Sequence, residues 1–303
     1  MKVLATGRYP GPAFDELPDV EIVRLAALDG RRDDVDGLVV ANEPVPFDLL
    51  PSLQIVANFG VGYDRIDLEA AAARGVAVTN TPGVLDAATA DLTLALILAV
   101  RRRLVEGDRL IRTGGWSGSW SEGFLGDQVT GSTLGIVGLG GIGSAVARRA
   151  IAFEMRVLYT RRTRAETELG QYRPLDALLQ ESDVVTLHAP LTPETAGLVD
   201  ARRLALLRNG AALVNTARGE IVDEEALVGE LVSGRIAAGL DVFANEPHVP
   251  PELQDLPNVV LTPHLGSATR QAREAMTRLV VDNLLAFERG GPLLTPVAPD
   301  RVE

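Results

Sequence analysis

The chain has no cysteine among its 303 residues, which excludes disulfides, thiolate nucleophiles and cysteine-ligated zinc or iron–sulfur sites. Positive charge is also in deficit: 29 basic residues stand against 41 acidic ones, a formal net charge of −12. That balance argues against nucleic acid or an anionic membrane as a partner, and neither is expected. Long apolar runs are missing too. The longest, residues 92–100, is bounded by Asp91 and Arg101 and is too short to span a bilayer. The first residues, MKVLATGRYP, enter a strand pattern without the apolar segment and cleavage site of a signal peptide, so a cytoplasmic protein is expected. Histidine is scarce, with three in the chain, and no metal site is expected.

What the chain does hold is a strand–turn–helix–strand pattern at residues 131–164, GSTLGIVGLGGIGSAVARRAIAFEMRVLYTRRTR. Residues 133–137 suit a buried parallel strand, residues 144–153 carry small and apolar side chains at helical spacing, and residues 156–160 suit a second strand. Between the first strand and the helix lies Gly138-Leu139-Gly140-Gly141-Ile142-Gly143. Gly138 permits the tight turn, Gly140 lets the backbone approach a pyrophosphate, and Gly143 lets helix pack on strand. The anion would rest on the helix N-terminus, where free N–H groups and the helix dipole favour negative charge. Set between a strand and a helix, this glycine pattern predicts a dinucleotide-binding unit.

The second strand of that unit ends in Tyr159-Thr160-Arg161-Arg162-Thr163-Arg164, with no carboxylate before Glu166. A carboxylate at this place would accept the ribose 2′-OH of NAD(H). A guanidinium fork and a hydroxyl suit a 2′-phosphate instead. NADP(H) is therefore the expected cofactor, with NAD(H) possible, and Arg161, Arg162 and Thr163 are its expected readers.

Upstream, strands are expected at residues 3–6, 20–25, 38–41, 54–58 and 76–80, with a helix at 67–74 capped by Asp67. Residues 86–113 read as one long helix, apolar nearly all round and therefore buried on several sides. The loop after it, residues 113–127, holds both tryptophans, Trp116 and Trp120. Beyond the glycine unit, strands at 183–187, 212–215, 238–242 and 259–262 alternate with helices at 202–207 and 224–233, and a last helix covers 267–289. Such alternation builds parallel sheets with helices on their faces, and the length suffices for two domains.

Ligands of such sheets bind beyond the carboxyl ends of the strands. Four loops there each carry a polar residue the fold does not need: Phe59-Gly60-Val61-Gly62-Tyr63-Asp64, 216–220 with Arg218, 243–247 with Glu246, and 263–267 with His264. Of His188, His248 and His264, the last is favoured, because Glu246 and Arg218 hold equivalent places on nearby strand ends. A carboxylate beside an imidazole orients it and favours its protonated form. An arginine clamps a carboxylate and polarises a carbonyl. Those are the parts needed to deliver hydride from a nicotinamide to a 2-keto acid. Spacing alone leaves an ordinary Arg218–Glu246 salt bridge open.

The segments VGYDRIDLEAAAARGVAVTNTPGVLDAATADL, GSTLGIVGLGGIG, LHAPLTPET, NTARGEIVDEEAL, AAGLDVFANEP and TPHLGSAT resemble the D-2-hydroxyacid dehydrogenase family, and within it the glyoxylate/hydroxypyruvate reductase branch. The resemblance runs from about Leu53 to Leu294. It implies an α/β chain of two doubly wound parallel-sheet domains with a cleft between them. One is a Rossmann cofactor domain at residues 97–269; the other is a flavodoxin-like substrate domain at 1–96 and 270–303. It further implies an NADPH-preferring reductase of small 2-keto acids such as glyoxylate or hydroxypyruvate, dimerising through the long helix and the tryptophan loop.

By the same resemblance Arg218 binds the substrate carboxylate and carbonyl, His264 is the acid/base and Glu246 pairs with it. The Val61 and Gly62 N–H groups hold the carboxylate, and Trp120, or failing it Trp116, reaches the partner's active site. Cofactor contacts are implied at Thr89, the turn from Gly138 through Leu139, Gly140, Gly141 and Ile142 to Gly143, His188, Pro190, Thr216, Ala217, Gly266 and Ser267. Asp241 is expected on the nicotinamide carboxamide. Two departures stand out: Gly141 occupies a place where many relatives carry Arg or Lys, and WSGSWSEGF is spaced unlike the branch's usual loop. They leave the identity of the 2-keto acid open. Two other readings share the motifs. Phosphite dehydrogenases place a lysine where this chain has Val61, and nucleotide-sensing proteins similar to the C-terminal-binding-protein corepressors retain the Arg–Glu–His set.

Overall fold

The computed structural model describes residues 1–118, 124–164 and 167–298. The chain forms two compact units, one of Met1–Asp86 with the segment from Ser267 onward, the other of Ala87–Gly266. These boundaries fall before the expected 96/97 and 269/270 cuts. The long helix explains the first shift, because Ala90, Leu94, Leu96 and Ile97 share a core with Leu134, Ile136 and Val146 of the second unit. Trp120 and Glu166 lie outside the described residues.

In the first unit β1 (Val3–Ala5), β2 (Val20–Ile22), β3 (Gly37–Val40), β4 (Ile55–Asn58) and β5 (Ala77–Thr79) run parallel. Their order is β5-β4-β3-β1-β2, and a short antiparallel strand, β13 (Pro296–Val297), closes the β5 edge. Read from the far edge this is the 2-1-3-4-5 order of flavodoxin-like sheets. Helix α1 (Leu68–Ala73) begins where Asp67 accepts the Ala70 N–H at 2.8 Å, as the N-cap rule predicts. Helix α8 (Arg270–Glu288) is capped in the same way by Thr269. Leu4, Leu38, Val40, Val56 and Val78 form the core with Phe47 and Leu50.

The second unit opens with α2 (Asp86–Arg101) and α3 (Leu104–Arg112), so the single helix expected over 86–113 is two. The break is Arg103, held in the left-handed region at φ 51°. Its guanidinium is fixed by Glu106 at 2.6 and 2.7 Å and stacks on Phe124. Neither glycine nor proline marks the spot in the sequence. Leu104, Val105 and Ile111 of α3 remain exposed, as do Trp116 and Leu125 beyond it.

The sheet that follows comprises β6 (Thr133–Val137), β7 (Arg156–Thr160), β8 (Gln171–Tyr172), β9 (Val184–Leu187), β10 (Ala212–Asn215), β11 (Ala237–Leu240) and β12 (Val259–Leu261). All pairings among the described residues are parallel, in the order β12-β11-β10-β9-β6-β7-β8. Numbered from β6, that is the 3-2-1-4-5-6 Rossmann order with one strand added. Side chains alternate between two cores: Ala212 and Val214 face one, Leu213 the other. Helices α4 (Gly141–Ala152), α5 (Leu175–Glu181), α6 (Ala201–Leu204) and α7 (Glu224–Val232) cover the faces. Both β8 and α5 escape the sequence reading, although Leu175, Leu178 and Leu179 stand at helical spacing and the last two are fully buried. No helix among the described residues is long and apolar enough to cross a membrane.

Candidate active site

The glycine turn lies where β6 passes into α4, at the point where the strand order reverses between β6 and β9. Gly138 has φ +96°, and a Cβ there would come within 2.6 Å of the His188 carbonyl group. At Gly143 a Cβ would lie 2.1 Å from the Gly138 carbonyl oxygen. Only glycine fits either position. Gly140, by contrast, opens onto free space, and as the N-cap of α4 it offers no side chain to the first-turn N–H groups. The helix begins at Gly141 rather than at 144, so Gly141, Ile142 and Gly143 form its first turn. Leu139 turns inward and is buried. An open glycine N-cap with unshielded N–H groups fits a pyrophosphate.

Beside this turn, Arg161, Arg162 and Thr163 follow β7 and are all exposed. The Arg162 charge reaches Glu194, whose carboxyl is held below its ordinary range first by the Thr192 hydroxyl, at 2.8 Å, then by backbone and Arg162. Pro190 precedes that loop, its carbonyl accepting the Thr195 hydroxyl at 2.6 Å. His188 follows β9, donating its N–H to Val137 O at 2.7 Å and meeting Thr186 Oγ1 through Nε2 at 2.9 Å. Burial pushes its ring down to about 3, so it is neutral at physiological pH.

Around α2, Thr93 Oγ1 donates to Thr89 O at 2.8 Å and lies 3.1 Å from Thr216 Oγ1. A Cβ on Gly266 would touch both Thr89 and Asp241 at 3.4–3.5 Å, so Thr89, Thr216, Asp241 and Gly266 are gathered together. Asn215, buried at the end of β10, takes the Ala217 N–H at 3.0 Å and donates to Arg218 O at 2.7 Å, which shapes the turn carrying Arg218.

Asp241 organises the segment with His264. Its carboxylate accepts the Thr262 hydroxyl at 2.6 Å and the N–H groups of Leu265 and Gly266 at 2.7 and 2.8 Å. Burial raises its pKa, while these donors and His264 oppose that shift. His264 itself stands at φ +53° with its N–H on Asp241 O at 2.9 Å. That conformation is uncommon for a non-glycine residue, and it brings the imidazole Nδ1 to 2.9 Å from Glu246 Oε2. A carboxylate carries no proton to give, so Nδ1–H donates; Nε2 has no partner among the described residues. Glu246 also accepts the Phe243 N–H at 3.2 Å. Burial would raise the Glu246 pKa, but the His264 hydrogen bond and charge, the Phe243 N–H and the Arg218 charge together hold it below the usual carboxylate range. Arg218 and His264 therefore both act electrostatically on Glu246.

Val61, Gly62 and Ser267 belong to the other unit. Val61 and Gly62 lie in the loop after β4, and the Ser267 carbonyl accepts the Thr269 N–H at 2.8 Å and Arg273 Nε at 3.2 Å. Trp116 is exposed. Sequence reasoning did not single out Asn58, Asn80 and Asn215. Each closes or follows a predicted strand, and a polar amide ending an apolar run is the signal that could have found them.

Residues 94–266 match the family model described as D-isomer specific 2-hydroxyacid dehydrogenase, NAD binding domain. The chain is 53% identical over 283 residues to the glyoxylate reductase of Pyrococcus furiosus, covering 89% of this chain and 84% of that protein. Among solved structures it is similar to the TT0316 protein from Thermus thermophilus, with TM-score 0.92 and 47% identity over 98% of this chain and 100% of that one. It is also similar to the NADPH-dependent glyoxylate/hydroxypyruvate reductase of Sinorhizobium meliloti in complex with NADP and malonate. There the TM-score is 0.89 and the identity 41%, over 98% of this chain and 96% of that one.

Proposed function

The chain belongs to the D-isomer specific 2-hydroxyacid dehydrogenase family, and from that premise we propose that it is a reductase of small 2-keto acids, glyoxylate and hydroxypyruvate foremost, preferring NADP(H). The observation that carries this reading is the His264–Glu246 pair at 2.9 Å, with the Arg218 charge acting on the same carboxylate. The names of the relatives, glyoxylate reductase and NADPH-dependent glyoxylate/hydroxypyruvate reductase, supply the substrate class.

Gly140 and the first turn of α4, Gly141–Gly143, would hold the pyrophosphate, and Arg161, Arg162 and Thr163 would take the 2′-phosphate. Thr89, His188, Pro190, Thr216, Ala217, Gly266 and Ser267 would line the rest of the cofactor's path, and Asp241 would hold the carboxamide. When bound, the reduced nicotinamide supplies a hydride to the carbonyl carbon of the 2-keto acid. Arg218 binds the substrate carboxylate and polarises the carbonyl, and the N–H groups of Val61 and Gly62 take the carboxylate as well. Negative charge developing on the carbonyl oxygen is met by a proton from His264 Nε2, while Glu246 holds Nδ1–H and steadies the imidazolium.

In assembly the protein is a homodimer, its contact formed by the exposed Leu104, Val105 and Ile111 of α3 with Trp116. Trp120 or Trp116 completes the partner's substrate pocket. Initial rates with glyoxylate, hydroxypyruvate and pyruvate, each with NADPH and NADH, test the reading. NADPH-linked turnover of glyoxylate or hydroxypyruvate supports it; NADPH binding without turnover of any of the three would overturn it.

A further inference from the structure

The loop Gly60-Val61-Gly62 has its carbonyl groups held, one after another, by asparagine side chains. Asn58 Nδ2 donates to Gly60 O at 3.0 Å and to Gly62 O at 2.8 Å. Asn80 Nδ2 donates to Val61 O at 2.9 Å, and the Thr81 N–H adds a second bond to Gly60 O at 3.0 Å. These peptides are trans, and in a trans peptide the N–H points away from the carbonyl of the same unit. Pinning Gly60 O therefore aims the Val61 N–H off the asparagine side, and pinning Val61 O does the same for the Gly62 N–H. Neither of these two N–H groups has a partner among the described residues.

The clamp is itself braced from behind. Asn58 is fully buried, and its Oδ1 accepts the N–H of Asn42 at 2.8 Å, which fixes the carboxamide with both donors toward the loop. Asn80 is tied through its main chain to Thr295, whose hydroxyl donates to Asn80 O at 2.6 Å. Thr295 is held in turn by Asn283 of α8, through Nδ2 to its hydroxyl at 3.0 Å and through Oδ1 from its N–H at 3.2 Å. A peptide turned the other way would present a carbonyl oxygen, which repels an anion where an N–H attracts one.

We infer that Asn58 and Asn80 are positioning residues, which orient the Gly60–Val61 and Val61–Gly62 peptides so that the Val61 and Gly62 N–H groups face the substrate carboxylate. The inference rests on the proposed function, which assigns the carboxylate to that loop. The clamp explains why a short carboxamide, and not a carboxylate of equal size, ends β4 and follows β5. Asparagine brings donors to buried carbonyls, where aspartate would set oxygen against oxygen.

The test uses Asn58→Asp, Asn80→Asp and the donor-retaining Asn80→Gln in the full chain. It measures glyoxylate KM and kcat at saturating NADPH, inhibition by oxamate, NADPH affinity and melting temperature. Loss of an oriented carboxylate contact, felt equally before and during reaction, raises KM and leaves kcat in place. The expected result is a rise of about tenfold or more in both KM and the oxamate inhibition constant for the Asp variants. Turnover at saturation and NADPH affinity stay near wild type, and Asn80→Gln recovers part of the loss. Unchanged KM and oxamate inhibition in a folded Asn80→Asp chain would overturn the inference. So would a fall in kcat and melting temperature with KM unmoved, the mark of a merely structural residue. If Asn58→Asp does not fold, the less buried Asn80 decides alone. A wild-type chain that reduces no 2-keto acid would instead remove the functional reading, and the inference with it.

Discussion

Glu246 Oε2 and His264 Nδ1 lie 2.9 Å apart, and the histidine reaches that distance from a left-handed backbone conformation. The carboxylate holds Nδ1–H and leaves Nε2 as the atom free to take up a proton and, from the imidazolium, to give it. Replacing His264 with Ala should lower glyoxylate turnover by about 10²–10⁴-fold, the usual contribution of a general acid, while NADPH affinity stays near wild type. Glu246→Gln, which keeps the shape but not the charge, should cause a smaller loss in kcat. Paired kinetics and NADPH fluorescence titration check both, and normal turnover in the His264→Ala chain removes the acid assignment.

Cofactor choice should follow the two arginines after β7. Changing Arg161 and Arg162 together to Ala should weaken NADPH by roughly a hundredfold or more, since each charge-assisted hydrogen bond contributes about 1.5–3 kcal/mol. NADH should be nearly untouched. Equal losses for the two cofactors would show that the arginines do not read the 2′-phosphate.

Gly143 allows a sharper steric test. A Cβ there would sit 2.1 Å from the Gly138 carbonyl oxygen, so Gly143→Ala must push α4 away from the turn. Overpacking of this kind costs about 1–3 kcal/mol. Both the melting temperature and the affinity for NADPH should fall. A variant with wild-type values for both would mean that the turn relaxes freely.

His188 predicts a pH dependence of stability. Its folded pKa of about 3 lies below the ordinary 6.5, so the unfolded chain takes up a proton that the folded ring refuses. The contribution to stability is complete above about pH 6.5 and is lost as the pH falls toward about 3. By pH 4 the loss should be on the order of 3 kcal/mol. Urea unfolding of wild type and His188→Gln at several pH values checks this, because the variant should show a shallower decline. Parallel declines would sink the assignment.

Much of this protein was legible from local pattern. The glycine turn, the apolar strand runs and the Asp67 cap depend on residues a few positions apart, and each is present within a few residues of where the pattern put it. Strand alternation likewise implied two parallel sheets, and the resemblance named their types; the strand orders agree. Helix α5 could have been read from Leu175, Leu178 and Leu179, but its shortness hid it.

Other features belong to the tertiary structure alone. Arg103 breaks the long helix because Glu106 and Phe124 hold its side chain, not because its residue type is a breaker. The unit boundary falls at Asp86 because α2 shares a core with strands far along the chain. His264 meets Glu246 in one unit, and Asn80 meets Val61 in the other, only after neighbouring parallel strands of that unit's own sheet have brought separate loops together. Sequence alone determined which residue types end those strands. Which atoms face one another was decided by packing, because a hydrogen bond depends on ångström distances that periodicity does not encode.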